Sequence, residues 1–353
     1  MSALDALHYT ILSLHDRVPA ERRARIQARI DSRIKPLGAL GRLEPLAFQL
    51  VSLLGASQDV LFIAELMLCA GDHGAASKGV SIASSAVTPQ MVSQMLAGSA
   101  SVNVFCRQAD MPITVIDCGI CHELPDHPHL IKYRLGQGTA SIDDAPAMHE
   151  GTLCEAFTNA RELVKTRMAS GTNLFAIGEM GIGNTTSASA LMVALTGLSV
   201  EDCVGVGTGI NRAQRTQKIA LIERALARHS SVRDDPLKAL ASLGGFEIAT
   251  LVGIMLAAAE AGCPVVVDGF VTSVAALVAC RYQPACRDYL IFSQLTAEKG
   301  HAALFDVLNA SPLMCLDMRI GEGSGAALAI PLLRAALGFY HEMGGFNEGQ
   351  VHV

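Results

Sequence analysis

The chain alternates short apolar runs with longer stretches whose apolar positions recur at helical spacing. The runs at 65–70, 112–117, 173–178, 264–268 and 289–293 read as strands. Strands alternating with helical stretches indicate a parallel sheet covered on both faces. The expected fold class is α/β, a Rossmann-like parallel sheet flanked by helices. Four of the strands run into a polar or glycine-rich turn: AGDHG, DCG, GEMGIGNTT and DGF. Ligands of open α/β sheets bind at the carboxyl ends of strands, so these turns fall where such a fold places a site.

The first 55 residues read as helices, with a break at Pro36 and Gly38, and a last helix covers about 326–341. The expected organisation is an α/β catalytic domain over 56–320 and a small helical domain built from 1–55 together with 321–353. The tail GGFNEGQVHV reads as frayed. The most apolar runs, 248–259 and 271–279, fall short of the roughly 20 residues that span a bilayer. They read as buried helices.

Composition narrows the function. Half of the 353 residues are hydrophobic and 17% are charged, enough for a large core. Aromatics are scarce and Trp is absent, which argues against base-stacking platforms. A formal net charge of −6 leaves no basic stripe for a nucleic-acid backbone. The arginines at 22, 23, 25, 29 and 33 read as a solvated helix face. The ten cysteines are scattered and the first residues lack an export pattern, so reduced thiols and a cytoplasmic location are expected.

Five motifs carry candidate chemistry. GEGSGAALA (321–329) sets Glu322 in a glycine-rich turn before an apolar helix, where backbone N–H groups favour an anion. Glu322 is then a base beside a bound anion, or a turn residue. GEMGIGNTT (178–186) is a phosphate cradle or a tight strand-to-helix turn, with Gly181, Gly183, Asn184, Thr185 and Thr186 near a helix start. Glu179 beside it would repel a phosphate unless it met something else, such as a sugar hydroxyl. VGVGTGIN (204–211), with Gly207, precedes Lys218, a point charge for phosphate or an exposed helix lysine. AGDHG holds Asp72 and His73, read as structural or substrate-contacting rather than metal-binding. TAEKG (296–300) places Glu298 and Lys299 beside Gly300, as substrate contacts or a helix-start pair. Cys118-Gly-Ile-Cys121-His122 matches a haem-attachment pattern by chance.

KPLGALGRLE (35–44), GDHG (71–74), GEMGIGNTT (178–186), GGFE (244–247), VVVDGF (265–270), TAEKG (296–300) and RIGEGSGAALAIP (319–331) occur in this order. Through them the chain closely resembles the nicotinate-nucleotide–dimethylbenzimidazole phosphoribosyltransferases, which build the lower-ligand nucleotide of cobalamin. The resemblance implies a homodimer, no metal or redox cofactor, and transfer of 5-phosphoribose from nicotinate mononucleotide to 5,6-dimethylbenzimidazole. It implies Glu322 as general base and Glu179 as a second active-site acid. Gly181–Thr186, Gly207 and Lys218 match the phosphate and ribose region. Asp72, His73, Ser81, Asp268, Thr296, Gly323 and Ser324 match the base and nicotinate pocket. Lys78 and Ile82-Ala83-Ser84 depart from the family pattern, which has an acid and an aromatic–proline pair there. A different acceptor base is therefore a second reading. A nicotinate mononucleotide-binding or sensing module without transferase activity is a third. A Rossmann-type oxidoreductase would need a GxGxxG after the first strand, and none is present.

Overall fold

The computed structural model describes residues 3–57, 62–205, 207 and 209–346; residues 347–353, most of the expected frayed tail, lie outside the described residues. Six strands form the main sheet: β1 (Ala64–Gly71), β2 (Ile113–Gly119), β3 (Leu130–Lys132), β4 (Leu174–Met180), β5 (Val265–Val267) and β6 (Leu290–Phe292). Their order is β3-β2-β1-β4-β5-β6, with all neighbours parallel. All five expected strands are present, with ends displaced by two residues at most. The added strand, β3, is three residues long and half-buried at the sheet edge. So short a segment carries no readable periodicity.

β1 and β4 are buried along their whole length, as central parallel strands are. Alternate side chains feed two apolar clusters. Met67, Cys69, Phe175 and Ile177 point to one face, where the helices Glu150–Ala169, Phe246–Ala261 and Phe270–Tyr282 pack. Residues 248–259 and 271–279 lie in these last two helices and are buried throughout. No helix among the described residues is long and apolar enough to cross a membrane.

Leu66, Leu68, Leu174 and Ala176 point to the other face. There the helices Ala20–Asp31, Leu43–Leu54 and Ser324–Glu342 contribute Ile30, Leu50, Ile330 and Leu333 to a single cluster with the sheet. The two chain ends thus meet, and Arg33 bridges to Gly345. The arginine row at 22–33, in and just after the helix Ala20–Asp31, is not simply a solvated face. Arg22 donates to the Val51 carbonyl at 3.1 Å, Arg29 to the Tyr340 carbonyl at 3.0 Å, and Arg33 is buried against the Met343 and Tyr340 carbonyls. These side chains satisfy carbonyls at helix ends, where positive charge is favourable.

The order reverses between β1 and β4, the switch point at which open α/β sheets form a crevice. Beyond β6, Gln294–Leu295 pairs in parallel with Met314–Cys315. That small ladder returns the chain to the carboxyl end of the sheet, so that the turn carrying Glu322 arrives above β4 and β5.

Candidate active site

A pocket of about 300 Å³ opens at this carboxyl end. Glu179, Gly181, Asn184, Thr185, Gly207, Thr296 and Glu322 line it, so residues distant in sequence share one wall. Ile82, Val87, Met91, Ile182, Phe270 and Ile320 add apolar surface. Glu298 and Arg319 also line it.

Glu322 stands at φ 61°, a left-handed backbone that costs a non-glycine residue about 1–3 kcal/mol. The surrounding turn holds it there. Gly178 lies so close beneath the turn that an added Cβ would stand 2.6 Å from the Gly323 Cα. Gly323 follows at φ 79° as the cap of the helix Ser324–Glu342. Its N–H and that of Ala326 donate to Asp268 at 2.9 and 3.0 Å. Glu322 Oε2 is buried and has no hydrogen-bond partner among the described residues. Leaving an acceptor so costs about 1–3 kcal/mol, and such atoms call for a functional reason. Burial, then the charge of Asp268, push the Glu322 carboxyl upward.

Glu179, next to last in β4, is buried, with the Asn184 side-chain amide donating to it. Burial and then the charges of Asp268, Glu247 and Glu322 push its carboxyl up to about 8. Two perturbed acids in one cleft are a functional-site signature. The turn after β4 enters the helix Asn184–Thr196 through Gly183 at φ 96°, a conformation open to glycine. Asn184 and Thr185 thereby sit on a helix N-terminus, with its orphan donors and field.

Lys218 does not reach the wall. It is 1% exposed, behind Thr185, and its Nζ donates to Thr185 Oγ1 at 2.8 Å. Burial lowers it to about 8, with Glu298 opposing that shift. Thr186 and Gly183 sit within the same turn and do not line the pocket.

The remaining sequence candidates lie under or beside the pocket. Asp72 is fully buried, accepting from the Thr88 hydroxyl at 2.5 Å and the Cys121 N–H at 2.9 Å. The CGICH segment is therefore part of a turn bound to β1. His73 is buried between Ser187 Oγ at 2.9 Å and Glu247 Oε1 at 2.7 Å, which ties the turn after β1 to the helices Asn184–Thr196 and Phe246–Ala261. Among the described residues no group of three or more His, Cys, Asp or Glu could hold a metal. Ser81 lies next to the lining residues Ile82 and Ala83, its carbonyl bound by Gln214. Asp268, Gly323 and Ser324 form the support of the Glu322 turn. Thr296 is held by His301 Nδ1, which takes its N–H at 3.1 Å.

Sequence reasoning left Glu298 undecided and did not single out Arg319 or the apolar wall. Arg319 lies within the quoted RIGEGSG motif, which was the available signal. The apolar wall comes from four separate segments, around 82–91, 182, 270 and 320, and no local spacing announces it.

The family described as a phosphoribosyltransferase matches residues 16–351. The nicotinate-nucleotide–dimethylbenzimidazole phosphoribosyltransferase of Shewanella loihica is 49% identical over 336 residues, 95% of this chain and 98% of its own. That of Shewanella piezotolerans is 47% identical over 328 residues, 93% and 96% of the two chains. The crystal structure of CobT from Thermus thermophilus superposes with a TM-score of 0.89 at 41% identity, covering 94% of this chain and 98% of that one. With a family match over nearly its whole length and relatives near half identical, the chain belongs to the nicotinate-nucleotide–dimethylbenzimidazole phosphoribosyltransferase family.

Proposed function

We propose that this enzyme transfers 5-phosphoribose from nicotinate mononucleotide to 5,6-dimethylbenzimidazole. The products are α-ribazole 5′-phosphate and nicotinate, a step of cobalamin nucleotide-loop assembly. Family membership supports the reaction. The observation that carries the mechanism is the buried, unpartnered Glu322 oxygen in the wall of a pocket that also holds Glu179.

Nicotinate is bound to the ribose as a pyridinium and departs as a neutral ring, so no general acid is required. C1′ becomes electron-poor as that bond breaks. A carboxylate nearby stabilises this charge. Before substrate binds, burial and the neighbouring acids favour the protonated form of Glu179. A bound pyridinium favours its ionised form, so substrate charge and catalytic charge arrive together. The benzimidazole attacks through its unprotonated nitrogen from the opposite side, which inverts the anomeric centre. Its other nitrogen then sheds a proton. Glu322 accepts it, and a raised carboxyl is the stronger base.

In this reading the phosphate binds at the helix start Asn184–Thr185 and the Gly207 loop; the Lys218 Nζ behind Thr185 supports it as a source of charge. Anchoring there orients the sugar. The apolar wall of Ile82, Ala83, Val87 and Met91 receives the acceptor ring. Ile82-Ala83 makes that wall aliphatic where the family pattern is aromatic, and this favours a second reading, a related lower-ligand base. Both readings are tested by incubating the protein with nicotinate mononucleotide and a panel of benzimidazoles, adenine and phenols. Nicotinate release dependent on the base supports transfer. Binding without release would sink it and leave a sensing module.

The homodimer rests on the family resemblance, and light scattering decides it. A reducing, cytoplasmic setting is supported by ten free cysteines, most of them buried.

A further inference from the structure

Glu298 stands where an anion would. It lines the pocket beside Thr185 and Gly207. Burial raises the Glu298 carboxyl, and the charge of Lys218 and then the Gly207 backbone oppose that shift and favour its anion. A Cβ placed on Gly207 would lie 3.5 Å from Thr185 Oγ1 and 3.8 Å from Glu298 Oε1, so the three groups converge. Lys218, buried and bound to Thr185 Oγ1 at 2.8 Å, finds in Glu298 the acid whose charge supports its own. A glycine-loop N–H, a hydroxyl and a buried lysine form the donor set of a phosphate cradle.

Space at Gly205 fits this reading. A Cβ there would overlap the Glu298 carboxylate. The glycine therefore leaves room for the acid to lie against the loop. The backbone of the acid is anchored separately: its carbonyl accepts the His301 N–H at 3.0 Å, and Lys299 reaches Asp202 at 3.1 Å. A change of the Glu298 rotamer would leave these contacts in place.

Two anions within one cradle repel each other. We infer that Glu298 is the resident anion of the phosphate cradle, holding the Gly207 loop and the Lys218 charge in the free enzyme, and that an incoming phosphate binds by displacing its carboxylate. This rests on the placement of the phosphate proposed above. It makes Glu298 a built-in competitor that sets nucleotide affinity, and it makes the cradle selective for ligands whose phosphate outcompetes a carboxylate.

The test uses inorganic phosphate on the whole protein, by calorimetry and by competition against nicotinate mononucleotide. Glu298→Gln keeps the shape and removes the charge, and phosphate is expected to bind at least tenfold tighter. Gly205→Ala expels the acid from the cradle while keeping its charge in the protein, and tighter phosphate binding is expected there too. Adding Lys218→Ala to either variant is expected to abolish the gain. Unchanged or weaker phosphate binding in a folded Glu298→Gln or Gly205→Ala protein overturns the inference, because an acid that merely braces the loop would weaken the site when removed. The readout needs no turnover, so a protein that takes up phosphate this way yet releases no nicotinate would defeat the reaction and not this assignment.

Discussion

Asp268 carries the turn that presents Glu322: its Oδ2 accepts the Gly323 N–H at 2.9 Å, one residue beyond the acid, and its charge pushes the Glu322 carboxyl upward. One group thus supplies both geometry and basicity. Its other oxygen takes the Ala326 N–H at 3.0 Å in the first turn of the last helix, where an acid is favoured by the exposed donors. The end of β5 is thereby joined to a segment more than fifty residues later.

Glu322→Gln removes the proton acceptor with little change in shape. Turnover is expected to fall by about 10²- to 10⁴-fold, while thermal unfolding stays near that of the parent. Nicotinate release followed by chromatography measures the first and calorimetry the second. An unaltered rate removes Glu322 from the mechanism.

Asp268→Asn should move the pH profile. Asp268 raises both Glu322 and Glu179, so removing its charge lowers both carboxyls. The catalytic base must be ionised, and activity is lost as pH falls through its pKa. The acid limb of kcat/KM is therefore expected to shift to lower pH. The amide cannot replace both accepted N–H bonds, which costs roughly 1–3 kcal/mol of stability. A limb that stays put or moves upward contradicts the coupling.

Lys218 is held near 8 by burial. Below that value it carries charge for the phosphate, and above it the charge is lost. Nucleotide affinity is expected to fall as pH rises through about 8, by up to about tenfold per unit. Lys218→Ala should weaken binding at neutral pH and remove this dependence. Calorimetric titration of nicotinate mononucleotide on both sides of that pH reads both.

His73 joins Ser187 to Glu247 in a fully buried chain. Glu247 Oε2 already has no hydrogen-bond partner among the described residues. His73→Ala would leave the rest of that carboxyl unpaired, at a cost of about 3 kcal/mol. Urea unfolding measures it. A midpoint unchanged from the parent would argue that the chain of contacts is slack.

Much of this protein is written locally. Apolar runs at the right intervals specify parallel strands, because burial on both faces demands them. Glycine turns at strand ends locate the crevice, because a backbone that approaches an anion must lack side chains there. The ordered motifs identify the family, and through that resemblance single out Glu322 and Glu179 as the candidate active-site acids. Only the tertiary structure separates the residues that face the pocket from those that carry it. Asp72, His73 and Asp268 have the same polar character in sequence as Glu179. Burial depth and bonding partners distinguish them, and both come from segments as distant as Thr88, Glu247 and Ala326. Lys218, in sequence a point charge for phosphate or an exposed helix lysine, is seated by the fold behind Thr185. Glu298 gains a meaning only when Gly207 and Lys218 are brought against it. Spacing along a chain determines which side chains share a face, whereas which face meets which is decided by the packing of the whole.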